Sequence, residues 1–61
     1  MYDGVYEVRE YINGGTDWYP HYFDNLYGAR TWVGENRGDL DWGAAVFFRR
    51  FDPDHEPEEV S

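Results

Sequence analysis

Aromatic side chains are the main means by which this chain can form a core. The chain has 61 residues, of which 21% are aromatic, and it contains no cysteine. A domain of this size buries only about 60% of the surface of its unfolded chain, so its core is marginal. Without cysteine, no disulfide can strengthen that core. Burial of the large rings, within the chain or against a second copy, is therefore the expected source of stability.

The charge of the chain restricts the classes of partner. Thirteen aspartates and glutamates oppose five arginines, with no lysine, for a formal net charge of -8. Binding to nucleic acid or to an anionic membrane needs clustered basic residues, so direct binding to either is not expected. The sequence shows no apolar run of about 20 residues and no signal peptide, which predicts a cytoplasmic protein. The expected partner is another protein or a second copy of the chain.

The first part of the chain has the pattern of a β-hairpin. Residues 2–12 alternate between the two faces of a strand. The Asn-Gly-Gly at 13–15 tolerates the positive φ of a tight hairpin turn, and residues 18–23 provide the returning strand. Pro20 has no backbone N–H, which predicts that this second strand lies at an edge of the sheet.

A helix and a third strand follow. Asp24 is a good N-cap, and apolar residues at helical spacing behind it predict a helix over about 25–33. Gly34 or Gly38 is the candidate for the left-handed residue that ends it. Residues 44–51 are apolar on both faces, which is typical of a strand covered on both sides. From residue 52 the composition becomes acidic and contains proline, which predicts a disordered tail.

These elements predict a small α+β fold. A right-handed crossover in the order ββαβ places the first strand between the other two. The result is a three-stranded antiparallel sheet with one helix packed on one face. The expected organisation is a single ββαβ domain over residues 1–51 and a disordered acidic C-terminal tail over residues 52–61.

The sheet face opposite the helix is the predicted interaction surface. One helix covers only one face, and exposed apolar patches above a few hundred Å² are uncommon on monomers. The competing interpretation is that curvature, the loop over 35–43 and long side chains cover this face. Strand register around Pro20 leaves open whether Tyr19 or Tyr22 faces the helix. The candidate partner-binding residues are Tyr11, Tyr19, Tyr22, Phe47 and Phe51.

The sequence shows no pattern of catalytic, metal or nucleotide-binding residues. His21 and His55 have no cysteine nearby, and His21 is expected on the surface of the edge strand. Glu7 and Glu10 could do acid-base work only together, but their odd separation places them on opposite faces of a strand. The chain is therefore expected to be non-enzymatic, with no metal and no cofactor.

Two functions are compatible with these features. The favoured one is a small acidic protein-protein interaction module that self-associates, of the kind carried by phage genomes as accessory or inhibitor proteins. The alternative is a DNA mimic, which blocks a basic DNA-binding protein with a stripe of carboxylates. Five carboxylates lie in the tail, so residues 1–51 carry a net charge of only -3, which disfavours the mimic. The candidate stripe residues are Asp3, Glu7, Glu10, Asp17 and Asp24.

Overall fold

The fold is an antiparallel sheet with one helix on one face. The computed structural model describes residues 3–60. The elements in that part of the chain are β1 (Gly4–Ile12), β2 (Asp17–Phe23), α1 (Leu26–Asn36), β3 (Ala44–Arg50) and β4 (Glu58–Glu59). The strands form a single sheet in the order β2-β1-β3-β4, and short 3-10 turns follow β1 and α1.

The predicted hairpin and strand order are confirmed. β1 pairs antiparallel with β2 on one side and with β3 on the other, so the first strand is central. β2 lies at the edge of the sheet, the position expected for a strand that contains Pro20. At the turn, Asn13 and Gly14 adopt positive φ values of 53° and 76°. Asn and Gly are the residues that reach this region most easily, which explains why the chain reverses here.

The sheet has four strands rather than the predicted three. Glu58 and Glu59 pair antiparallel with Phe48 and Phe47, and the N–H of Val60 donates to a carbonyl of β3 at 2.8 Å. The three-stranded prediction is wrong because edge pairing is made by backbone groups, which any extended segment can supply. The acidic composition of this segment gives no sign that it forms a strand. The disorder expected for residues 52–61 as a whole and the domain boundary at residue 51 stay predictions.

The helix differs from the prediction at both ends. The N-cap is Asn25 rather than Asp24: the Asn25 side chain accepts a hydrogen bond from the N–H of Gly28 at 2.7 Å. The helix then continues to Asn36. Neither Gly34 nor Gly38 ends it in the predicted way, because neither glycine takes the positive φ that a terminating glycine needs.

The core lies between α1 and one face of the sheet. Val8, Ala29 and Val46 are buried there, and Val8 and Val46 lie opposite each other on β1 and β3. The partly buried residues that pack on this centre are Tyr6, Phe23, Leu26, Trp32, Val33 and Ala44.

The contribution of β4 can be measured by truncation. A chain that ends at residue 52 should still fold, with a free energy of unfolding lower by about 1 kcal/mol, because few backbone hydrogen bonds are lost. Urea denaturation followed by circular dichroism measures the difference. Val60→Pro is the matched variant, since it removes the N–H that donates to Val46 and retains the rest of the chain. A truncated chain that fails to fold would show that β4 is essential.

Candidate interaction surface

The sheet face that α1 does not contact carries both aromatic and charged side chains. Alternation along the paired strands assigns its members. We call this surface the open face. Its residues are Val5, Glu7, Arg9, Tyr11, Trp18, Pro20, Tyr22, Ala45, Phe47, Arg49 and Glu59.

A buried carboxylate lies at the centre of the open face. Glu7 is on the central strand and is only 2% exposed. Its Oε1 atom accepts a hydrogen bond from Nε of Arg9 at 3.1 Å and lies 3.6 Å from Nη1 of Arg49. Two guanidinium groups therefore compensate one buried negative charge, as a buried charge requires.

Arg9 is held between two aromatic rings. Its guanidinium carbon lies 4.6 Å from the centre of the Trp18 ring and 4.1 Å from that of Phe47. The residues directly opposite Arg9 on the neighbouring strands are Pro20 and Ala45. Both are compact, so the Arg9 side chain can lie flat across the sheet and reach rings on both sides. The cation–π contacts and the ion pair to Glu7 together fix its position.

The open face is partly covered by its own side chains. Arg9 is 18% exposed and shields Glu7, so the prediction that long side chains fold over this face is right for its centre. The margins differ: Trp18 and Tyr22 on β2 remain 44% and 57% exposed. The exposed part of the open face is therefore a pair of rings on β2, on one side of the central Arg9.

The predicted contact residues divide between the two faces. Tyr11, Tyr22 and Phe47 share the open face. Tyr19 pairs with Glu10 and lies on the helix side of β2, where it is nevertheless exposed. Phe51 directly follows β3 and is also exposed. The register thus answers the question that the sequence left open: Tyr19 faces the helix side and Tyr22 belongs to the open face.

The five residues of the hypothetical acidic stripe are spread over the molecule. Glu7 is buried on the open face, whereas Glu10 is on the helix side, as their odd separation predicted. Asp17 begins β2 and accepts a hydrogen bond from Asn13. Asp3 and Asp24 lie together at the edge of a surface pocket near the start of α1.

The molecule was compared with known families, curated proteins and solved structures. None of them matches the chain. Within residues 3–60, no helix is long and apolar enough to cross a membrane, and no three potential metal ligands are grouped together. A proposal about function therefore rests on the surface of the molecule itself.

His21 lies in a different environment from the one expected. It is on the edge strand, as predicted, but its side chain is more buried than a surface position implies. Its ring packs on Trp32 of α1 at a centroid distance of 4.3 Å, and its Nε2 atom is 3.0 Å from Oε1 of Glu10. The reason is its register: His21 pairs with Val8, which places it on the helix side of the sheet.

Sequence reasoning missed the charged centre of the open face. It selected aromatic residues and left out Glu7 as a partner of Arg9, and it did not place Trp18 at this site. A signal for the pair was present, since opposite charges two residues apart on a central strand point to the same face. No such local signal could place Arg49 or Trp18, because both reach the site through strand pairing over a long sequence separation.

Proposed function

We propose that this protein is a non-enzymatic interaction module that docks through its open face, and that a second copy of the chain is the first partner to test. The observation that carries the proposal is the ordered centre of that face. Arg9 is fixed between Trp18 and Phe47 above the buried Glu7. A side chain that is already ordered loses little conformational entropy on binding.

The composition of the open face also supports docking. Trp, Tyr and Arg are the residues enriched at the energetic centres of protein interfaces. The open face presents Trp18 and Tyr22 as exposed rings on the same side of the sheet as Arg9 and Arg49, with Trp18 in contact with Arg9. This combination is more typical of an interface than of a sheet face that only meets water.

The distribution of charge favours self-association through this face. Its charged residues are two glutamates, Glu7 and Glu59, and two arginines, Arg9 and Arg49, so its formal charge is zero. The whole chain carries -8. Two copies would repel each other least where their open faces meet, because the excess negative charge lies elsewhere.

A DNA mimic receives less support from the same residues. Such a mimic needs carboxylates exposed in a row, at spacings that resemble phosphates. Glu7 is buried and paired with arginines, and Glu10 points to the opposite side of β1. The interaction module is therefore the function we propose.

Sedimentation equilibrium between about 10 and 500 µM tests the proposal. The wild-type chain should show an average mass that rises above the monomer value of 7.3 kDa. Tyr22→Ser should weaken this association, because it removes an exposed ring of the open face. Tyr27→Ser is the matched control: this tyrosine is 81% exposed on α1, away from the open face, and its loss should leave association unchanged.

Two results would contradict the proposal in different ways. A monomer at every concentration would rule out the second copy as partner. Equal association of the Tyr22→Ser and Tyr27→Ser variants would show that the contact lies outside the open face. Circular dichroism of both variants confirms that each remains folded.

A further inference from the structure

Two opposite charges on the open face are not compensated by close contacts within the chain. Arg49 is 45% exposed, and its Nη1 atom lies 3.6 Å from Oε1 of Glu7, too far for a charge-assisted hydrogen bond. That oxygen accepts its hydrogen bond from Arg9 instead. Glu59 is exposed on β4. Within residues 3–60, no arginine or histidine nitrogen lies within 4.0 Å of its carboxylate.

The strand pairing places these two side chains beside each other. Glu59 pairs with Phe47, and Arg49 is two residues further along β3, on the same side of the sheet. Arg49 and Glu59 are therefore diagonal neighbours on adjacent strands. A positive and a negative group stand side by side at the margin of the open face that is farther from β2.

A neighbouring pair of opposite charges is complementary to itself under two-fold symmetry. In a symmetric dimer, a contact of one residue with a second implies the reciprocal contact. Consider two open faces that meet about a two-fold axis passing between Arg49 and Glu59, across the line that joins them. Each arginine then lies over the glutamate of the other copy. A single axis forms two ion pairs and brings no like charges of this pair together.

The two side chains have the length that such a contact requires. Sheets that pack face to face are about 10 Å apart, and an extended arginine and an extended glutamate that point at each other span a gap of that size. The guanidinium group can donate two parallel hydrogen bonds to one carboxylate. Complementary charges across an interface fix its register and oppose other orientations.

We propose that the open face binds a second copy of the chain in one orientation, with Arg49 of each copy paired to Glu59 of the other. This inference rests on the proposed self-association and adds its register. The exposed rings of β2 supply contact area, whereas the two ion pairs select the orientation. Glu7 and Arg9 do not take part in this selection, because they are already paired with each other.

Glu59→Arg and Glu58→Arg compare the two faces of β4. Both glutamates are exposed and both substitutions change the net charge equally, but Glu58 pairs with Phe48 and lies on the helix side. Glu59→Arg sets arginine against arginine at both contacts. We expect it to weaken association about tenfold or more in sedimentation equilibrium. Glu58→Arg should not weaken association, since it only reduces the net negative charge of each copy.

A mixture of two variants tests the pairing directly. Arg49→Glu sets glutamate against glutamate, and Glu59→Arg sets arginine against arginine. Each variant alone should therefore be mainly monomeric at a concentration where the wild type associates. Mixed in equal amounts, the two variants restore both opposite-charge pairs, and the average mass should rise to about the wild-type value. Mixing could not restore an ion pair that forms within one chain.

Circular dichroism establishes whether each variant is folded. Arg49→Glu is the more sensitive one, because it also removes one of the two guanidinium groups near Glu7. If it does not fold, the comparison of Glu59→Arg with Glu58→Arg decides alone, since both of those substitutions lie outside the ionic contacts of Glu7.

Two results would overturn this inference and leave self-association in place. One is an equal effect of Glu59→Arg and Glu58→Arg, and the other is a mixture that associates no more than its components do. A wild-type chain that stays monomeric at every concentration would instead contradict the proposed self-association, and the orientation with it. The failure of the register and the failure of the proposed function are thus separate observations.

Discussion

Gly4→Ala is expected to destabilise the fold more than any other single substitution considered for this chain. A Cβ atom on Gly4 would lie 2.0 Å from the carbonyl oxygen of Arg49 and 2.9 Å from Cα of Arg50. Gly4 is buried and pairs with Arg50 at one end of the ladder between β1 and β3. Relief of the clash must therefore separate two backbones that are hydrogen-bonded to each other. We expect a loss of about 3 kcal/mol or more, against a total of roughly 3–9 kcal/mol for a chain of 61 residues.

The matched control adds the same methyl group where there is space for it. Gly34 is inside α1, and no atom lies within 4 Å of its Cβ position. Gly34→Ala should therefore raise the free energy of unfolding by up to about 1 kcal/mol, the difference in helix propensity. Urea denaturation of both variants measures the two changes. Similar values for the two alanines would refute the close approach of β1 and β3 at Gly4.

Removal of the charge on Glu7 is expected to have the second largest effect. Glu7→Gln retains the shape of the side chain but leaves Arg9 and Arg49 without their shared negative partner. Loss of one member of a fully buried ion pair costs about 3–5 kcal/mol. Here Arg9 and Arg49 are 18% and 45% exposed, and water compensates part of the loss. We therefore expect a decrease of about 1–3 kcal/mol in the free energy of unfolding.

The control for this change is Glu10→Gln, at the other glutamate of β1. Glu10 is 28% exposed and lies beside His21, so Glu10→Gln should change stability by less than about 1 kcal/mol. Near-ultraviolet circular dichroism provides a second readout for Glu7→Gln, because Arg9 should leave its position beside Trp18. Equal stability of the two glutamine variants would show that the centre of the open face does not depend on the charge of Glu7.

Local sequence signals were sufficient for most of the fold. Alternation along residues 2–12, the Asn-Gly-Gly turn and Pro20 each depend on a few neighbouring residues, and together they predict a hairpin with an outer second strand. Apolar residues at helical spacing after Asp24 predict α1, because one face of that helix must pack on the sheet. The ends of α1 were less certain, since Asp24 and Asn25 can both cap a helix and only the backbone geometry at Asn25 decides.

The candidate site depended on pairings that no local pattern contains. The register of β1 against β2 decides that Tyr22 shares a face with Glu7 and that Tyr19 does not. The contact of Arg9 with Phe47 likewise requires β3 to lie beside β1. Alternation could assign a side chain to one of two faces within a strand, but it could not say which side chains of different strands would meet.

The two outer strands also bear on how the molecule avoids unlimited polymerisation. β2 contains Pro20, which cannot donate a hydrogen bond to an added strand, and β4 consists of two glutamates whose like charges would oppose the same segment of another molecule. Proline and charge are devices by which proteins protect exposed sheet edges. Addition of molecules edge to edge into a fibril is therefore disfavoured at both ends of the sheet. The self-association proposed above would therefore use the faces of the sheet, where it can close after two copies.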